Sequence, residues 1–257
     1  MDLRLPIRGN ETLGRLVERI DESVRLDALW TSSNVTAIER MQINDHGPVH
    51  IRIISNIALK LLRLLAAAEV SPSVVSDHKL RFEDAEVIVT LASVLHDVGH
   101  VIHRHNHEAL SLVLAAPLID ELIAELYDER TATIVKGETL HAIYTHQRDI
   151  QPLTIEAGVV KVADALDMEA GRARIPFSSG DPTIHSVSAR AIRKVTLGAG
   201  QTRPIKISIE MSNSAGIFQL DNLLREKLKN STLAPYVEVI AEITGEEEKI
   251  VERYSID

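Results

Sequence analysis

Cysteine is absent from the chain. Disulfides, cysteine-ligated zinc or iron–sulfur centres and thiol nucleophiles are therefore excluded together. Aromatic residues make up only 3%, too few for a platform on which bases stack. Glycine and proline number 12 and 9 among 257 residues, less than the average share of roughly 12%, which favours long helices over loops. Excess positive charge is missing as well. Lys and Arg number 28 against 37 Asp and Glu, a formal net charge of −9, so no nucleic-acid partner is expected. No apolar run reaches the roughly 18 residues of a membrane span. The opening MDLRLPIRGNETLG lacks the apolar stretch of a signal peptide. These absences lead to the expectation of a cytoplasmic protein with no membrane partner. What remains is an ordinary globular composition, 45% hydrophobic and 25% charged, with length for one or two domains.

Charge and histidine are unevenly spread. Residues 1–175 carry 18 basic and 26 acidic side chains, and residues 176–257 carry 10 and 11. Ten of the 11 histidines lie between His46 and His146. The chain is accordingly divided near residue 175. The first part reads as helices. Asn10 caps one with Leu13, Leu16, Val17, Ile20 and Val24 on a single face. Gly47-Pro48 opens a second, with proline at the first helical position and Ile53, Ile54, Ile57, Leu61, Leu64 and Leu65 as its stripe. Residues 83–97 form a third, so apolar from Val87 to Leu95 that it is expected to run through the core. Further helices are expected from His107 to a break near Pro117, over 138–147, and from Thr154 to Gly171. The second part reads as strands at Ile184–Leu197 and Ile205–Met211, a helix at Asp221–Lys229, and strands at Val237–Ile243 and Ile250–Tyr254 around a Gly245-Glu246-Glu247 turn. The expected fold is mainly α: a helical domain over 1–175, then a small antiparallel α+β domain (ββαββ) over 176–257.

Imidazole and carboxylate groups stand at helix ends in this pattern. His50 lies in the first turn of the second helix. His96-Asp97 ends the apolar third helix, and Gly99-His100 follows. His107 opens the next helix and His146 closes a later one. Asp164 and Asp167 follow the apolar run Val159, Val160, Val162 and Ala163. These are ligand types for Mn, Fe, Co, Ni or Zn, and carboxylate also for Mg. His and Asp left unpaired at the end of a buried helix would cost several kcal/mol, and a metal ion satisfies both.

The order His50 … His96-Asp97 … Asp164 resembles the HD-domain superfamily of metal-dependent phosphohydrolases. The resemblance is carried by HGPVHIRIISNIALKLL, VTLASVLHDVGHVIHRHNHE, LHAIYTHQ and VVKVADALDMEAGRAR, over about residues 40–175. It implies that His50, His96, Asp97 and Asp164 hold a divalent ion. In members with two ions the extra histidines fall where His107 and His146 stand, and Asp97 would then bridge. An adjacent His-His and a Gly-Tyr-Pro signature, marks of the larger binuclear branch, are both missing, so cyclic-dinucleotide hydrolysis is not expected. The implied activity is hydrolysis of a phosphate ester, with a nucleotide as the expected substrate class, by metal-activated water. Asp97 and His100 are the candidate catalytic groups, with Arg104 and Lys161 neutralising phosphate.

Other readings stay open at this level. His100, His103 and His105 are site residues or solvated loop histidines. His46 faces substrate or only starts a helix. Asp167 supports a ligand or pairs with an arginine, and Arg172 and Arg174 are further candidate phosphate cations. His78, His141 and His185 read as ordinary. His107-Glu108 begins like a zinc-protease motif, but Ser111 replaces the second histidine. A nucleotide-sensing module with little turnover and a di-iron oxygenase are the alternative functions. Edge strands of the small sheet would pair readily with a second copy, so a homo-oligomer is expected.

Overall fold

Asn10 begins the first helix as its spacing predicts, its side chain accepting from the Leu13 amide. The computed structural model describes residues 2–169 and 184–244. Helix α1 (Glu11–Glu22) buries Leu13, Leu16, Val17 and Ile20. It ends at Ser23, which leaves the helical region and caps α2 (Val24–Asn34) with its hydroxyl. Val24 belongs to this second helix and is 82% exposed, so it is not part of the α1 stripe. Helix α2 continues as one π turn over Val35–Arg40. Pro48 then starts α3 (Pro48–Ala67) behind Gly47, and a short α4 (Ser73–His78) follows. Helix α5 (Phe82–Leu95) buries every residue from Asp84 to Leu95. It is packed against α3, α7 (Glu129–Thr145) and α8 (Ile155–Leu166).

Three helix boundaries differ from the sequence reading. Helix α6 (His107–Leu122) runs through Pro117. The interior proline costs about 3 kcal/mol, but burial of Ala115, Leu118, Ile119 and Leu122 on either side of it offsets that. Helix α7 begins at Glu129, well before 138, because Asp128 caps it by accepting from the Thr131 amide. Helix α8 stops at Leu166.

The C-terminal part is also rearranged. Ile184–Arg190 is a helix, α9, rather than the start of a strand; its end is held by Ser188 donating to Gln219. Strands β1 (Ile192–Ala199) and β2 (Ile205–Met211) form the expected antiparallel pair. Strand β3 (Val237–Ile243) pairs with β2 in parallel, Ile205 opposite Val237. The sheet is therefore mixed, in the order β1-β2-β3, not antiparallel. The connection over 212–236 holds a helix, α10, composed of Gly216–Gln219, the π segment Leu220–Arg225 and Glu226–Lys229. This helix carries the chain back to the end where β2 began, as a parallel pair requires. The boundary near 175, Arg172, Arg174, the Gly245 turn and the strand at Ile250–Tyr254 lie outside the described residues.

One buried apolar cluster contains residues of both parts, from Leu3 and Leu91 to Ile192, Ile207, Leu224 and Leu233. The two parts approach closely at Gly158 of α8, where a Cβ would sit 2.0 Å from Thr232 Oγ1. Thr232 donates to the Thr154 carbonyl at 2.9 Å, at the start of α8. Among the described residues no helix is long and apolar enough to cross a membrane.

Candidate metal centre

Six separate segments place histidine or aspartate at one point. His50 comes from the first turn of α3, and His96 caps α5 with Asp97 beside it. His100 lies in a 3-10 turn (Val98–Val101), His107 begins α6, His146 caps α7 and Asp164 lies in the last turn of α8. The two oxygens of Asp97 face different groups. Oδ2 lies 3.2 Å from His96 Nε2 and 3.5 Å from His50 Nε2. Oδ1 lies 3.1, 3.6 and 3.7 Å from the Nε2 atoms of His107, His100 and His146. Asp164 Oδ1 stands 3.5 Å from His50 and 3.9 Å from His96. Among the described residues four triads have ligand atoms within 4.8 Å of one another: His50-His96-Asp97, Asp97-His107-His146, His96-His146-Asp164 and His46-Asp97-His100.

The outer nitrogens explain why the inner ones converge. Nδ1 of His96 donates to the Ser93 carbonyl, that of His107 to Arg104 and that of His146 to Ile143. His50 Nδ1 donates to Asp167 at 2.5 Å. Each bond fixes a ring and leaves Nε2 turned inward as a lone pair, the usual support of a metal-binding histidine. The buried Nε2 of His96 has no hydrogen-bond partner, although Asp97 lies beside it. A nitrogen beside a carboxylate oxygen, without the geometry to bond it, fits two ligands of one ion. Charge agrees with that fit. Burial would raise Asp97, yet His96 and His100 hold it well below the usual carboxylate range. Asp164 is held down against burial by Lys227, then His96 and His50. Burial, followed by the neighbouring His96, pushes His146 well down, so it stays neutral. Burial would lower His96, yet Asp97 beside it raises it; ionised carboxylate and neutral imidazole are the forms that bind metal, so an ion bound there would displace a proton from His96. The residues present fit a divalent ion.

Gly99 lets the His-Asp turn close. A Cβ there would meet the His107 carbonyl at 2.2 Å and the Ser111 amide at 2.6 Å. Ser111, the residue that spoils the zinc-protease pattern, accepts from Gly99 N–H and donates to the His96 carbonyl at 2.6 Å. Trp30 donates to the Val94 carbonyl at 2.8 Å, so the end of α5 is braced from two sides.

The candidate cations divide. Arg104 donates to His100 Nε2 at 2.8 Å and to His46 Nε2 at 3.3 Å, at the edge of the cluster. Lys161 does not face it. Its ammonium is fully used by the carbonyls of Gln147, Arg148 and Ile150, at 2.9, 3.1 and 2.7 Å, and burial pushes its pKa down to about 8. The spacing of one turn from Asp164 placed it on the right helix but did not reveal that it folds back on the loop after His146. Lys161→Met should therefore lower stability by about 2 kcal/mol, because three part-buried carbonyls lose their charged donor; a thermal midpoint equal to that of the wild type would refute this role.

Of two further neighbours of the cluster, sequence spacing left His46 open and missed Lys227. His46 is brought to Asp97 and His100 by a bond from its amide to Asn34 Oδ1 at 3.1 Å. Lys227 of α10 forms an ion pair with Asp164 Oδ2, and no local motif links residues 63 positions apart. Asp167 accepts from His50 Nδ1 and so supports that ring. His78 pairs with Glu138 and His141 accepts from the Leu153 amide. Clefts adjoin the cluster on two sides. One of about 770 Å³ includes His50, Asp167, Arg52, Ile53 and Val195; the other includes Arg104, His107, His103, His105 and Gln147.

Residues 50–169, which span all six metal-ligand candidates, match the family model of the HD domain. An uncharacterized protein of Methanocaldococcus jannaschii is 41% identical over 231 residues, covering 90% of this chain and 89% of its own length. The chain belongs to the HD-domain superfamily. Ribonuclease Y of Thermoanaerobacter pseudethanolicus is 33% identical over 88 residues, which is 34% of this chain and 15% of that protein. The HD domain points to the metal-dependent phosphohydrolases, and the His/Asp groups could hold a divalent metal.

Proposed function

We propose that the protein is a phosphohydrolase that acts on a phosphate ester, with a nucleotide as the substrate class, at two divalent ions sharing Asp97. The observation that carries this reading is the division of Asp97: His50 and His96 face one oxygen, His107 and His146 the other. His50, His96, Asp97 and Asp164 would hold the first ion, and Asp97, His107 and His146 the second. When bound, such ions supply Lewis acidity and bring the pKa of coordinated water from 15.7 towards roughly 7. The chain's own groups do the rest. Asp167 keeps His50 in the required tautomer. Arg104, held between His46 and His100, meets negative charge as it develops on phosphorus-bound oxygen. His46 and His100 each turn an Nε2 lone pair to Arg104 and so orient it, and the departing oxygen takes its proton from water. The likeness of part of the chain to ribonuclease Y supports including phosphodiesters among the candidate esters.

Metal analysis of purified variants, paired with turnover of a panel of nucleotides and phosphodiesters, tests this. The wild type should hold two Mn²⁺ per chain and lose turnover with chelator. His107→Ala and His146→Ala should each keep one ion, and His50→Ala should lose the other. Loss of a single shared ion in all three variants would mean a mononuclear centre. No turnover of any phosphate ester by the fully loaded protein would overturn the activity.

A further inference from the structure

The protein is acidic overall, net −9, yet the proposed substrate is an anion. Its approach depends on cations close to the metal ligands. Among the described residues Arg104 and Lys227 stand at the cluster, and Lys161 is turned away from it. Lys161 gives its ammonium to three carbonyls, and Arg104 is shared by two histidines. That leaves Lys227. Its side chain is only 15% exposed, as is nearly the same fraction of its partner Asp164, at 16%. A lysine ammonium has three donors, and among the described residues this one bonds Asp164 Oδ2. The other oxygen of Asp164 faces His50 and His96. Lys227 therefore stands on the outer side of a metal-ligand carboxylate, with donors to spare. The charge of Lys227 also reaches His146, so it lies within electrostatic range of both halves of the cluster.

We infer that Lys227 is a substrate-binding residue, which the C-terminal segment delivers to the metal centre to hold a non-bridging oxygen of the phosphate group. This rests on the proposed hydrolase reading. It also gives the tail a task that the HD helices do not perform: α10 completes the site, and the turn after it is docked on the loop before α8 and on the start of α8 by Asn230 donating to the Arg148 carbonyl at 2.9 Å and Thr232 donating to the Thr154 carbonyl. A lysine acts here as a compact point charge, so arginine should substitute in part and methionine not at all.

The test is titration of the Mn²⁺-loaded full-length protein with inorganic phosphate by calorimetry, with metal content measured on the same samples. Lys227→Met should weaken phosphate binding on the order of 10- to 100-fold, the worth of one charge-assisted contact, at unchanged Mn²⁺ content. Lys227→Arg should recover a large part of it. If Lys227→Met binds phosphate as the wild type does, the inference is overturned and the hydrolase reading stands. If both Lys227→Met and Lys227→Arg lose Mn²⁺ along with phosphate, Lys227 only positions Asp164, and the inference is again overturned. A wild type that holds Mn²⁺ but takes up no phosphate overturns the hydrolase reading and this inference together. Circular dichroism identifies a variant that has failed to fold; in that event Lys227→Gln takes the place of Lys227→Met.

Discussion

Asp97→Asn should strip the protein of both divalent ions and lower turnover by roughly 10³-fold or more. Asparagine keeps the shape of the side chain and removes its charge. The five imidazoles around Asp97 would then surround a neutral group, and neither ion would have the carboxylate that both share. Loss of the Lewis acid removes several kcal/mol of transition-state stabilisation, and about 4 kcal/mol corresponds to that factor. Because Asp97 is in contact with both halves of the cluster, its loss should exceed that of any single histidine. Metal content by mass spectrometry and steady-state turnover check it. A variant that retained two ions would show that Asp97 is not the shared ligand.

Gly99→Ala should be the most damaging substitution that touches no ligand atom. The added carbon would meet two backbone atoms, the His107 carbonyl and the Ser111 amide, at 2.2 and 2.6 Å. Neither can swing aside as the end of a side chain can. Relieving the overlap pushes α6 away from the His-Asp turn, which breaks the Ser111 bridge and moves His107 away from Asp97. Overpacking of this kind costs about 3 kcal/mol, and a chain of this size loses about 2–4 °C of Tm per kcal/mol. A fall of about 10 °C is therefore expected by calorimetry, together with loss of the second ion. An unchanged Tm would mean that the turn has room that the structure does not show.

The helical part was largely legible because its signals are local. Asn10 as a cap, Pro48 at the first helical position, and the apolar run from Val87 to Leu95 each act within one or two turns. The candidate metal ligands were legible for a related reason. A histidine or aspartate that ends a buried helix lacks apolar packing, and the resemblance to HD proteins supplied the order in which such residues occur. Local reasoning failed where a distant part of the chain outweighed the local preference. Pro117 should end a helix, but the packing of α6 carried it through. Val24 matched the α1 period, yet Ser23 had already started a new helix.

What the sequence by itself determined is which groups are candidates for the chemistry: six metal-ligand candidates, Arg104 beside them, and no cysteine. It determined as well that the ligands would sit on helix ends, since caps and apolar periods fix those ends. The tertiary structure decided how these groups are shared. It turned the oxygens of Asp97 towards separate sets of histidines, gave His50 to Asp167, and brought in His46. It also set Lys161 against the loop after His146 and brought Lys227 to Asp164 from a different part of the chain. The parallel β2–β3 pair, which needs the α10 crossover, was decided at the same level. Side-chain direction at these positions depends on bonds across tens of residues, and periodicity along one helix says nothing about what another element places opposite it.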